Sequence, residues 1–135
     1  MCDAAGRPLG SLVTAGQRHE SPLLLDLILS TPLTGRMPKR TLADRGYSSP
    51  RNRALLRAMG SRPVIPMRED ELERLKAQGL PVPRFERKAY RGRNVVERLV
   101  GRLKEHRRIA TRYEKLAVNF HSMLRLACIR FYLNQ

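Results

Sequence analysis

"RTLADRGYSSPRNRALLRAMGSRPVIP", residues 40–66, decides the fold class. "RTLA" is a short apolar strand that runs into a turn at Gly46. A helix is expected from about Pro50 to Met59, with Leu55, Leu56 and Met59 facing inward and Gly60 ending it. "RPVIP" then reads as a short buried strand closed by Pro66. Strand, helix and strand in succession predict an α/β domain.

The flanks extend this pattern. "MCDAAGRPLGSLVTAG" predicts the end of one strand, a turn at Asp3–Gly6 and a second strand over Leu9–Thr14. In "QRHESPLLLDLILST", Ser21 suits a helix cap, Pro22 suits the first turn, and Leu23, Leu24, Leu27 and Ile28 form an apolar stripe. "PLTGRMPKR" is a Pro/Gly loop with cations. Beyond the second strand, "REDELERLKAQ" predicts a short exposed helix and "GLPVPRFERK" an irregular stretch. A basic helix follows over residues 90–108, and "TRYEK" links it to a last helix from about Leu116 to Leu133. That last helix is apolar on most sides, which predicts burial.

Composition narrows the function. The 135 residues carry 27 Lys and Arg against 12 Asp and Glu, a net charge of +15. Such an excess points to a polyanionic partner, with nucleic acid first. Aromatic residues make up only 5% and Trp is absent, which argues against a stacking platform for single-stranded bases. The longest apolar stretch, "PLLLDLIL", is short and broken by Asp26, so no membrane partner is expected. "MCDAAGRPLG" lacks the apolar core of a signal peptide. Cys2 and Cys128 have no metal-type spacing and read as ordinary thiols of a reducing compartment. His19, His106 and His121 have no ligand spacing either.

Two acids stand out. At about 100° per residue, Tyr90, Arg93, Glu97 and Lys104 fall on one narrow face of the basic helix. Val96, Val100 and Leu103 flank that face as core anchors, and Gly101 leaves room on it. Glu97 is either a functional carboxylate or an ordinary surface acid pairing with Arg93 or Arg98. Asp44, in "LADRGY", lies at the C-terminal end of a strand, where α/β sheets place their chemistry. It equally suits a turn or N-cap beside Gly46.

Together these residues resemble the DDE transposases of bacterial insertion sequences. Tyr90, Arg93, Glu97 and Lys104 match the Y–R–E–K signature at every spacing, and "DRGY" from Asp44 matches the D-x-G-aromatic motif of the second acid. "TAGQRHES", "RPVIP" and "HRRIATRYEKLAVNF" also resemble a branch of this family, so the likeness covers nearly the whole chain. It implies an RNase H-like mixed sheet with flanking helices. It also implies metal-dependent phosphodiester cleavage and strand transfer at element ends. Three acids would hold two divalent ions, Mg²⁺ (or Mn²⁺), with Asp44 as the second acid and Glu97 as the third. Tyr90, Arg93 and Lys104 would contact DNA near the cut, and Arg107, Arg108 and Arg112 the backbone phosphates.

The family's first acid lies on a first strand upstream of the hairpin that "CDAAGRPLGSL" resembles. Asp3, in a turn, is a poor substitute. The expectation is therefore a partial catalytic domain over residues 1–135, lacking its first strand and the N-terminal DNA-binding region and inactive alone. Its partner would be double-stranded DNA, at element ends and target, in the cytoplasm at the nucleoid. The assembly stays open between a homodimer and pairing with a full-length transposase. A non-catalytic DNA-binding regulator is the alternative function. A ribosomal-type RNA binder would explain the charge but not the spacing of the acids.

Overall fold

The computed structural model describes residues 1–15, 19–33 and 37–133. Parts of "TAGQRHES" and "PLTGRMPKR" lie outside these residues. The chain divides into two compact units, Met1–Arg18 with Asp26–Leu33 and Asn94–Gln135, and His19–Leu25 with Thr34–Arg93.

The second unit holds the strand–helix–strand core of the α/β pattern. Strand β1 (Arg40–Leu42) pairs in parallel with β2 (Arg62–Val64), Thr41 opposite Pro63. Between them runs α2 (Pro50–Ala58), which packs on β2. Ser49 is its N-cap, accepting the Asn52 N–H, and Pro50 supplies a preset φ in the first turn. Gly60, at φ +78°, turns the chain out of the helix, as the sequence led one to expect. Leu56, Val64 and Ile65 are buried. Thr41 and Ser61 hydroxyls meet at 2.7 Å beside the sheet, which satisfies the buried Ser61. Helix α3 (Glu69–Ala77) is short and has no buried residue, and residues 78–86 are irregular, both as expected.

Helix α1 (Leu24–Leu29) is preceded by a 3₁₀ turn over Ser21–Leu23. Pro22 sits in that turn, but the capping position is Glu20 and not Ser21, and no side chain caps it. Leu23, Leu24 and Ile28 are buried, so the apolar stripe holds.

The first unit differs more from expectation. The turn at Asp3–Gly6 forms, with Asp3 Oδ1 accepting the N–H groups of Ala5 and Arg7 at 2.9 Å. Gly6 takes φ +85° there. The strand expected over Leu9–Thr14 does not form; one antiparallel bridge, Cys2 to Pro8, is what remains of the hairpin.

The basic helix expected over residues 90–108 is three pieces. Helix α4 (Arg87–Tyr90) passes into a 3₁₀ turn over Arg91–Arg93, then α5 (Asn94–Lys104) begins, and α6 (Arg107–Ala110) follows a break at His106. Gly92 weakens the helix at the first junction. A β-carbon on it would make an ordinary contact with Leu42 Cδ2, at 3.6 Å. A 3₁₀ turn steps by about 120° per residue, so Tyr90 and Arg93, three residues apart, stand one above the other. Of the expected anchors, Leu103 is buried and Val96 half-buried, but Leu99 takes the place of Val100. Leu99 and Leu103 are buried, while Val100 is exposed. Gly101 does open onto free space.

Helix α7 (Ala117–Leu133) is not the buried helix its composition predicts. Ala127 is its one buried residue among those described, packed with Leu99 and Leu103 in a small cluster that Cys2, Ile109, Leu124, Cys128 and Phe131 surround. Val118, Leu126, Ile129 and Leu133 lie exposed on the side away from Ala127. Both thiols are half-buried, and burial pushes each above the ordinary cysteine pKa. His121 is half-buried and bonded to Ser11 Oγ at 2.9 Å. No helix among the described residues is long and apolar enough to cross a membrane.

Candidate functional site

Asp44 stands two residues beyond β1 and caps a 3₁₀ turn over Arg45–Tyr47. Its Oδ1 accepts the Gly46 N–H at 2.8 Å. The turn role weighed from the sequence is therefore real. A β-carbon at Gly46 would crowd Asp44 Oδ1, at 3.0 Å, and would come within ordinary contact of Glu20 Oε2, at 3.9 Å.

The same carboxylate has a second partner, far along the chain. Arg93 reaches Asp44 Oδ2 at 3.4 Å, a contact between residues 49 apart in sequence. The pair is partly shielded, the side chains 24% and 38% exposed respectively. Arg93 also lies over the Tyr90 ring, 5.9 Å from its centre. Tyr90 is held in turn by Phe85, with ring centres 5.2 Å apart. Thus Asp44, Tyr90 and Arg93 come together within one unit, although the helix expected to align the last two is broken.

Two further groups belong to this neighbourhood, and sequence reasoning gave neither a role. Burial raises the pKa of the Tyr47 phenol, and the negative charges of Glu20 and Asp44 raise it further. Glu20 lies within "TAGQRHES" but was given no role of its own; its charge at Tyr47 and the close packing around Gly46 reveal it. Asn52 fixes the turn from below. Its amide donates to Tyr47 O at 3.0 Å, Ser21 O at 3.0 Å and Ser21 Oγ at 3.1 Å, and the residue is 4% exposed. An Asn on the inner side of an amphipathic helix was the one available clue.

Glu97 lies in the first turn of α5, exposed, and Lys104 in its last turn. Both belong to the first unit, while Asp44, Tyr90 and Arg93 belong to the second. Arg107 and Arg108 are exposed on α6, and Arg112 follows it, also exposed. Arg108 pairs with Glu114 at 3.5 Å. His106 is half-buried at the N-cap of α6 and His19 is exposed in a loop.

Asp44 suits a hard divalent cation as one ligand, because each carboxylate oxygen keeps a lone pair beyond the bonds described. Among the described residues no three His, Cys, Asp or Glu side chains gather as a metal-holding group. A cleft of about 200 Å³ in the second unit is lined by Ser48, Ser49, Arg68, Asp70, Glu71 and Arg74, and includes none of the expected site residues.

Comparison with known proteins agrees with the motifs. The family model described as the transposase DDE domain matches residues 1–132. The chain is 35% identical, over 133 residues, to a putative transposase for insertion sequence element IS402 from Burkholderia cepacia. That match covers 93% of this chain and 57% of the relative, so the chain spans little more than half of the relative's length. No solved structure matches it.

Proposed function

Because the chain belongs to the DDE transposase family, we propose that it forms part of the catalytic domain of an insertion-sequence transposase and acts on double-stranded DNA. What supports this reading is the meeting of Asp44 with Arg93, 3.4 Å apart. The D-x-G-aromatic motif and the Y–R–E–K motif lie far apart in the chain, and here one half of each touches the other. The parallel β1–α2–β2 arrangement supports an RNase H-like mixed sheet as the underlying fold.

In this reading Asp44 and Glu97 are the catalytic acids for phosphodiester cleavage and strand transfer at element ends. The Gly46 N–H and the Arg93 guanidinium fix how Asp44 presents its two oxygens. Lys104, Arg107, Arg108 and Arg112 neutralise backbone phosphates, and Tyr90 holds Arg93 in place. The family works with divalent metal ions as a rule, and we assign Mg²⁺ (or Mn²⁺) to Asp44 and Glu97. When bound, such an ion polarises the phosphodiester and lowers the pKa of the attacking oxygen.

A second reading has one observation on its side. Asp44 caps a turn and pairs with a cation, and both roles are useful without catalysis. A non-catalytic DNA-binding chain that regulates a full-length transposase would keep them.

A cleavage assay on duplex DNA carrying element ends, with Mg²⁺ or Mn²⁺, separates the two. It compares this chain, a version extended upstream to the relative's length, and the extended version carrying Asp44→Asn or Glu97→Gln. The catalytic reading expects each substitution to abolish cutting while DNA binding persists. Cutting that survives Glu97→Gln or Asp44→Asn removes that residue from the catalytic set.

A further inference from the structure

The arginines from the end of α5 onward are not equivalent. Arg102 lies over Phe131, 4.4 Å from the ring centre, and Arg108 pairs with Glu114. Arg112 differs in its backbone. At φ +47° it is the one non-glycine residue with positive φ among those described. It comes directly after Thr111, the C-cap of α6, where a left-handed residue ends a helix and glycine is the usual choice. With a β-carbon in that conformation, the backbone carries steric strain that glycine would not.

The side chain shows what the strain accompanies. The Arg112 guanidinium lies over Phe120, 5.4 Å from its ring centre, in the first turn of α7. Among the described residues no carboxylate comes within ion-pair distance of it. Among those residues its charge has no acidic partner, and it sits on an exposed residue whose backbone disfavours a β-carbon. Strain of this kind persists where the surroundings impose it or where a binding role retains it. A cation–π contact of this length leaves guanidinium N–H groups available to donate to phosphate. Such a contact also restrains the side chain before binding, which lowers the entropy lost on contact.

We propose that Arg112, set by its left-handed backbone and by Phe120, is a preset contact to a DNA backbone phosphate. This deepens, and rests on, the DNA-binding reading above.

The test uses the full chain and fluorescein-labelled duplex DNA, with anisotropy titrations over a range of NaCl and a melting temperature for each variant. Arg112→Gly and Arg112→Asn both accept positive φ. Phe120→Leu removes the ring and keeps the charge. Arg57→Ala, at an exposed arginine on α2, controls for loss of charge alone. Arg112→Gly is expected to weaken binding about 5–10-fold and to reduce the log–log salt slope by about 0.9, one phosphate contact, with the melting temperature unchanged or raised. Arg112→Asn should behave alike. Phe120→Leu should weaken binding with the slope unchanged. Arg57→Ala should change binding by less than about 2-fold.

The contact is overturned if wild-type chain binds DNA and Arg112→Gly binds as tightly, or no more weakly than Arg57→Ala. It is also overturned if both Arg112 variants lower the melting temperature in step with binding, which marks a structural role. A wild-type chain that fails to bind duplex DNA at low salt overturns the DNA reading itself, and this contact with it.

Discussion

Arg93 and Asp44 lie 3.4 Å apart, one the last residue of the 3₁₀ turn that follows α4 and the other two residues beyond β1. Neither is deeply buried, so the attraction is screened and two side chains must be ordered to realise it. The pair is therefore better suited to orienting a carboxylate than to stabilising the fold. A double-mutant cycle with Arg93→Gln and Asp44→Asn should give a coupling below about 1 kcal/mol by denaturant unfolding, shrinking further in about 1 M NaCl. A coupling insensitive to salt would mean the pair is more desolvated than its exposure indicates.

The Asn52 amide is a different case. Its two hydrogens serve three acceptors, so one is shared, and the site is almost closed to water. Asn52→Ala should cost about 2–3 kcal/mol, because the carbonyls of Ser21 and Tyr47 lose their partner in a buried site. The midpoint of urea unfolding reads this directly, with an unchanged m value.

Tyr47 makes a prediction for alkaline pH. Burial, then the charges of Glu20 and Asp44, lift its pKa above the ordinary phenol value. The folded chain then holds the phenolic proton more tightly than the unfolded chain does. That contribution is fully present below the unfolded pKa and is lost as pH rises through the folded one. In a tyrosinate absorbance titration, the step removed by Tyr47→Phe should lie above the ordinary phenol range. Asp44→Asn or Glu20→Gln should move that step toward it.

The two sides of α7 should respond in opposite ways. Leu126→Lys and Ile129→Lys, on the exposed side, should change stability by less than about 0.5 kcal/mol. Ala127→Leu should destabilise by about 1–3 kcal/mol by overpacking the cluster with Leu99 and Leu103, and Leu103→Ala by about 2–4 kcal/mol. Thermal unfolding of the four variants checks the assignment of faces.

Some features were fixed by local chemistry, and these were legible. Ser49 and Pro50 start α2 and Gly60 ends it, because caps, a preset φ and a left-handed glycine act within a few residues. The Asp3–Gly6 turn and the strands around α2 were visible for the same reason. Asp44 and Arg93 were named through the likeness to a family signature, and the chain does belong to that family.

Other features depended on what lies beside each residue. Arg91–Arg93 forms a 3₁₀ turn, so the helical step is not uniform between Tyr90 and Glu97. Leu99 replaces Val100 as an anchor, and a helix apolar on most sides buries little beyond Ala127. Hydrophobic periodicity gives a face its direction only relative to other faces of the same helix, and tertiary packing decides which of them is covered. The sequence by itself therefore determined the acids, the cations and the local turns. Only the tertiary structure decided that Arg93 meets Asp44, that Glu20 and Asn52 stand around the same turn, and that Arg112 turns left-handed above Phe120, because each depends on contacts between residues that no local rule connects.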